Sequence, residues 1–257
     1  MKKLFFFDID GTLTSAKEFG KVYESTREAL RRLKENGHFV ALATGRALFR
    51  AKAFQHEIGL ENMVCEGGCC VILNHQQVSY EAPNQELLKD IYREALAKQV
   101  GVAVACEDSA HRIAPNSLFH ELAGDVHEFM DVNTDSEFCI DRVDQIRRLF
   151  IADPQHKMDM KKLEQIGVMH YGDDQFIIIE PDDKYKGIKK TCELLGESED
   201  QIVVFGDGWN DRKMFQQAPF AVAMGNAVPD VKAEADYITA DSDHDGIYLA
   251  CEHFGWI

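Results

Sequence analysis

The feature that most constrains this chain is a short, wholly apolar run that stops abruptly at an acid or a glycine and is followed by a helical segment. Leu4-Phe5-Phe6-Phe7 stops at Asp8, the run 38–43, apolar after His38, stops at Thr44-Gly45, and the run 202–205 stops at Gly206-Asp207. Successive side chains of a strand point to opposite faces, so a strand apolar at every position is buried on both. Sheets built from such strands are parallel and carry helices on either side. The intervening segments supply them. Residues 24–36 place Ala29, Leu30 and Leu33 on one helical face and close at Gly37. Further helices are expected over 188–195, 211–217 and 228–235, and further strands over 63–65, 220–224 and 237–239. The expected fold is α/β, a doubly wound, Rossmann-like parallel sheet. Such sheets bind ligands beyond the carboxyl ends of their strands.

The middle of the chain breaks this rhythm. From Ala82 to Asp183 it mixes a helix (85–98), short alternating strands such as 101–106, and the strand 175–180, and it begins and ends near prolines. A discontinuous core, 1–81 with 184–257, interrupted by a separate α/β domain over 82–183, is the natural division. That insertion holds 10 Lys/Arg and 21 Asp/Glu, and so carries −11 of the chain's net −16. The charge has the wrong sign for a protein that coats nucleic acid through phosphate contacts, so no nucleic-acid partner is expected. The 45% apolar content is enough for a core. No run approaches the ~18–20 apolar residues of a membrane helix, and no membrane partner is expected. Asp8 and Asp10 cut the N-terminal apolar run short of a signal peptide's ~7–15 residues. The seven cysteines include no C-x-x-C pair and read as scattered thiols in a reducing compartment. A cytoplasmic protein is expected, and the sequence leaves a homo-oligomer open.

Four strand-end segments can carry chemistry. In Asp8-Ile9-Asp10-Gly11-Thr12-Leu13, residues 8 and 10 point the same way if the chain stays extended, and two carboxylates in one pocket call for a divalent cation. Oxygen-only ligands beside phosphate suit magnesium. Alone, the segment also describes a strand ending in a solvated acidic turn. Thr44-Gly45-Arg46 offers a hydroxyl and N–H groups for an anion, or simply a capped strand-to-helix turn. Lys186-Gly187 offers a point charge for phosphate, with Lys184, Lys189 and Lys190 as competitors. In Gly206-Asp207-Gly208-Trp209-Asn210-Asp211 the two outer acids lie one helical turn apart and can serve one ion, or cap a helix.

Taken together and in this order, these segments resemble the four motifs of the haloacid-dehalogenase-like (HAD) phosphohydrolases, the Cof-type subfamily in particular. Val222-Ala223-Met224-Gly225-Asn226-Ala227 and Asp245-Gly246-Ile247 are similar to that subfamily's C-terminal signatures. The resemblance implies a HAD core with an inserted α/β cap domain acting as a lid. It implies a magnesium-dependent phosphatase of small phosphomonoesters, sugar phosphates or similar metabolites, working through an aspartyl-phosphate. Asp8 is then the nucleophile and Asp10 the general acid and base. Asp8, Asp10 (through its carbonyl), Asp207 and Asp211 are the metal ligands. Thr44, Gly45, Lys186 and Asn210 grip the phosphoryl group, and Arg46 orients the leaving group or braces its loop. Glu66-Gly67-Gly68 departs from the family's usual Asn-Gly. A phosphomutase or a dedicated sugar-phosphate phosphatase on the same core, and a non-catalytic metabolite-binding regulator, are the alternatives.

One further pattern competes for attention. Asp241-Ser242-Asp243-His244-Asp245-Gly246, with Glu252 at the twelfth position, fits a calcium loop letter for letter. Such a loop needs a helix on each side, and residues 236–239 read as a strand.

Overall fold

A computed structural model describes residues 2–18, 20–172 and 175–257. They divide into two compact units, Met1–Tyr80 with Asp182–Ile257, and Glu81–Pro181.

The first unit begins with β1 (Leu4–Phe7), β2 (Phe39–Ala43), β3 (Met63–Cys65), β4 (Cys70–Leu73) and β5 (Gln76–Tyr80), with α1 (Glu24–Glu35) and α2 (Leu48–Ile58) between them. The second unit comprises α3 (Gln85–Ala97), β6 (Gly101–Ala105), β7 (His111–Ala114), α4 (Leu118–Ala123), β8 (Asp131–Thr134), β9 (Arg148–Ala152), α5 (Met160–Leu163), β10 (Val168–Tyr171) and β11 (Phe176–Ile179). The chain then completes the first unit with α6 (Lys184–Leu195), β12 (Ile202–Gly206), α7 (Arg212–Gln217), β13 (Ala221–Ala223), α8 (Pro229–Ala233), β14 (Tyr237–Ile238) and α9 (Gly246–His253).

The first unit's sheet runs β14-β13-β12-β1-β2-β3-β4-β5. It is parallel from β14 through β3 and antiparallel across β4 and β5. Alternation along β1 explains its wholly apolar sequence. Phe5 and Phe7 pack with Leu30, Leu33, Phe54 and Ile247, from the layer of α1, α2 and α9. Leu4 and Phe6 pack with Ile188, Cys192, Met214 and Val231, from the layer of α6, α7 and α8. Chain order reverses at β1, which pairs with β2 on one side and β12 on the other. A crevice opens at the carboxyl ends of strands where the winding reverses, and this is where Asp8 and Asp207 emerge.

The second unit's sheet runs β10-β11-β9-β6-β7-β8. Residues 101–105 do not alternate in exposure; all five are buried. Leu88, Ile91, Tyr92 and Leu163 from α3 and α5 cover one face, and Phe119 and Ala123 from α4 cover the other. Among the described residues, no helix is long and apolar enough to cross a membrane.

Candidate active site

The site starts from β1. Asp8 N–H donates to the Phe205 carbonyl at 3.0 Å, which extends the β1–β12 ladder one residue past the strand. The chain then leaves extended geometry. Gly11 has φ +82°, and Thr14 N–H closes the turn on the Ile9 carbonyl at 2.9 Å. A Cβ on Gly11 would lie 2.2 Å from Asp207 Oδ2. Only glycine meets both demands, the left-handed backbone and the contact with a carboxylate. From the same turn, Thr12 Oγ1 donates to Asp207 Oδ1 at 2.7 Å.

Asp8, Asp207 and Asp211 each bring a carboxylate oxygen within 4.8 Å of the others. Lys184 is 1% exposed and lies among them, its Nζ 2.5 Å from Asp8 Oδ1 and 2.6 Å from Asp211 Oδ1. Asp211 Oδ2 accepts the N–H groups of Asp207 and Gly208 at 2.9 and 3.0 Å, which folds the loop after β12 around it. A Cβ on Gly206 would sit 2.6 Å from Asp211 Cγ, so this glycine is what lets the fully buried carboxylate in.

Burial pushes the Asp8 carboxyl up to about 8; the Lys184 ammonium opposes the shift and the Asp211 charge adds to it. Burial likewise raises Asp207 to about 6, against the Thr12 hydroxyl and with the Asp211 charge. For Lys184, burial works against the charged form, but Asp211 and Asp8 outweigh it and its pKa rises. Three carboxylates around one ammonium therefore hold more negative charge than the protein neutralises. All-oxygen donors with uncompensated charge fit a hard divalent cation.

Several expected residues take different places. Lys184, not Lys186, is the lysine brought to the carboxylates. The helix expected to begin at 188 begins at 184, because the Asp183 side chain caps it by accepting Lys186 N–H. Positions 184 and 188 share the inner face of α6 and both are buried, whereas Lys186 is exposed. Asp10 does not join the acidic trio, because the chain leaves the strand for a turn that starts at Ile9, and the extended geometry that would aim residues 8 and 10 alike ends before Asp10. Its exposed carboxylate meets Arg46 through both oxygens, at 2.9 Å from Nε and 2.5 Å from Nη2. Arg46 also lies 5.5 Å from the Phe54 ring centre. Thr44 is buried, and its Oγ1 accepts Arg46 N–H at 3.1 Å, so it braces the turn rather than capping α2, whose N-cap is Ala47. Gly45 is half-buried in that turn, and Asn210 is exposed on the loop after β12.

Thr12 and Asn226 were not singled out from the sequence as site residues. Asn226 Nδ2 donates to the Gly11 carbonyl at 2.9 Å and reaches Asp207 Oδ2 at 3.3 Å. The signal for Asn226 was present in the Met224-Gly225-Asn226 segment. The signal for Lys184 was its four-residue spacing from Ile188. The calcium-loop pattern has no helix before it; β14 leads in, and the three acids separate. Asp243 accepts from Ser15 and Tyr23, Asp245 accepts from Ser25, and Asp241 lies 3.5 Å from His244 Nδ1.

Comparison with known proteins places this geometry. The family model of the haloacid dehalogenase-like hydrolases matches residues 5–250. YkrA of Bacillus subtilis, a protein named among the phosphatases, is 29% identical over 268 residues, covering 98% of each chain. A phosphoglycolate phosphatase of Methanopyrus kandleri is 28% identical, covering 96% of this chain and 94% of its own. Among solved structures, a Geobacillus kaustophilus protein superposes over the whole of both chains with TM-score 0.81 at 26% identity. A HAD subclass IIB sugar phosphatase does so with TM-score 0.74, also at 26%. The chain therefore belongs to the haloacid dehalogenase-like hydrolases of the Cof type, and is a phosphatase of that family.

Proposed function

We propose that the protein hydrolyses small phosphomonoesters, sugar phosphates or similar metabolites, with magnesium and through an aspartyl-phosphate on Asp8. The observation that carries this reading is the Asp8 carboxylate at the end of β1, held by Lys184 and gathered with Asp207 and Asp211. Asp8 attacks phosphorus; the Asp8 O–P bond forms as the bond to the leaving oxygen breaks. Asp10 delivers a proton to that oxygen, then takes one from the water that attacks the aspartyl-phosphate and frees Asp8. Lys184 orients Asp8 and offsets part of the charge on the acidic trio. Thr44, Gly45 and Asn210 bind phosphoryl oxygens.

Asp8, Asp207 and Asp211, with the Asp10 carbonyl, are the residues that would hold magnesium. The ion's chemistry there is to mask phosphate charge, so that an anionic carboxylate can approach. The sugar phosphatase and the phosphoglycolate phosphatase among the similar proteins support a small phosphorylated metabolite as substrate. The net −11 of residues 82–183 argues against a polyanionic leaving group.

The test is phosphate release from p-nitrophenyl phosphate and from a panel of sugar phosphates, with and without magnesium, by the wild type and Asp8→Asn. Metal-dependent release by the wild type and none by the variant is expected. Equal release by both proteins refutes the nucleophile, and sustained dependence on a bisphosphate activator points instead to a mutase.

A further inference from the structure

The segment Asp241-Ser242-Asp243, left over from the calcium-loop pattern, is tied into the loop that follows the nucleophile turn. Ser15 donates its hydroxyl to Asp243 Oδ1. That hydroxyl also accepts the N–H groups of Lys17 and Glu18 at 3.0 and 2.8 Å. Tyr23 OH donates to the same Asp243 oxygen at 3.2 Å. Ser15 N–H bonds to the Lys21 carbonyl at 2.7 Å, which holds the two ends of this lobe together. Ser15 is its entry and Tyr23 stands just past its exit, and one carboxylate gathers both. Asp243 is deeply placed, its side chain 6% exposed.

The adjacent Ser242 carries the connection inward. Its Oγ accepts Ala16 N–H at 3.1 Å, and its own N–H donates to Asn226 Oδ1 at 2.9 Å. Asn226 in turn holds the Gly11 carbonyl and contacts Asp207 Oδ2. A path of hydrogen bonds, joined by the peptide link between Ser242 and Asp243, thus runs from Ser15, Ala16 and Tyr23 through Asn226 to a carboxylate of the acidic trio and to the turn that carries Asp10.

We infer that Asp243 is a positioning residue: by clamping the lobe it fixes Ser242 and Asn226, and through them the orientation of Asp207 toward a divalent cation. This rests on the reading of Asp8, Asp207 and Asp211 as metal ligands. Partners one shell beyond a metal ligand commonly change affinity ~10–100-fold, and Asn226 stands in that shell. Asp243 acts one step further out, so a smaller change of roughly 3–10-fold is expected. What matters is the acceptor at Oδ1, not the charge, so Asn at 243 preserves the clamp.

The experiment is calorimetric titration of the full chain with Mn2+, beside hydrogen exchange of the amides of residues 16–18, 20 and 21. The proteins compared are the wild type, Asp243→Ala, Asp243→Asn and Ser15→Ala, each checked for a cooperative melt. Asp243→Ala is expected to bind Mn2+ 3–10-fold more weakly and to exchange faster in the lobe, with Ser15→Ala shifted in the same direction by about 2–3-fold. Asp243→Asn should stay within about twofold of the wild type. Wild-type affinity in Asp243→Ala, or equal weakening in Asp243→Asn and Asp243→Ala, overturns the inference. If Asp243→Ala does not fold, Ser15→Ala combined with Tyr23→Phe decides, and unchanged Mn2+ affinity there overturns it. A wild type that takes up no Mn2+ sinks the metal assignment itself, and the clamp with it, whatever the variants do.

Discussion

Two lysines two residues apart have opposite fates here, and the difference is measurable. Lys184 bonds to two buried carboxylates, while Lys186 lies on the outer face of the same helix. Lys184→Ala leaves Asp8 and Asp211 buried without a counter-charge; the loss expected is on the order of 3–5 kcal/mol of stability, seen in urea unfolding, together with most of the turnover. Lys186→Ala should keep turnover within about twofold and melt as the wild type does, since surface substitutions usually stay within ~0.5 kcal/mol. Arg46 makes a separate prediction. Its two-point contact holds the Asp10 carboxylate in one orientation. If Asp10 supplies the leaving-group proton, Arg46→Ala should lose roughly tenfold more kcat on an alkyl phosphate than on p-nitrophenyl phosphate, out of the ~10²–10⁴ that general acid catalysis contributes. A loss equal on both substrates would show that Arg46 supports only the loop.

At the level of elements, the site depends on how closely α6 lies against the sheet. Gly187 is inside that helix, and a Cβ there would lie 2.4 Å from Val64 Cγ1 and 2.8 Å from the Gly68 carbonyl. Gly68 has φ +100°, and a Cβ on it would lie 2.0 Å from the Asp183 carbonyl. The two glycines let the first turn of α6 sit on the end of β3, which brings Lys184 to Asp8. Gly187→Ala replaces an empty contact by overpacking, expected to cost about 1–3 kcal/mol and to lower the thermal midpoint. Turnover should fall with it, because Lys184 moves with its helix. An unchanged midpoint in a calorimetric scan would show that α6 tolerates displacement.

For the whole molecule, the raised Asp8 and Asp207 carboxyls link pH, metal and stability. Their folded-state values, about 8 and about 6, lie above the ordinary 3.8, so the folded metal-free protein holds protons that the unfolded chain has released. That contribution is complete below about pH 4 and is lost as pH rises through 6 and then 8. With EDTA, the melting temperature is therefore expected to fall between pH 5 and pH 8, and Asp8→Asn should flatten the upper part of the fall. Saturating magnesium should remove the slope, and the magnesium needed for half-activity should rise as pH drops toward 5, because protons compete for the same oxygens. A metal-free melting curve indifferent to pH over this range would contradict the assignment.

Much of this protein follows from local rules acting on the chain itself. Four apolar residues in a row force β1 to the centre of a two-layered sheet, because both of its faces must be buried. Acids and glycines directly after such strands mark the crevice. Long-range packing decided the rest. Residues 8 and 10 part because the chain turns from Ile9 onward, and Gly11 carries that turn past an Asp207 that lies almost two hundred residues further on. Lys184 outranks Lys186 because Asp183 caps α6 and because Gly187 and Gly68 let the helix close on β3. Asp243 and Asp245 serve hydroxyl groups near the N-terminus because β14 and α9 carry them there. Residue spacing encodes direction only while the local backbone geometry persists; once the chain turns, which groups meet is settled by the packing of distant segments.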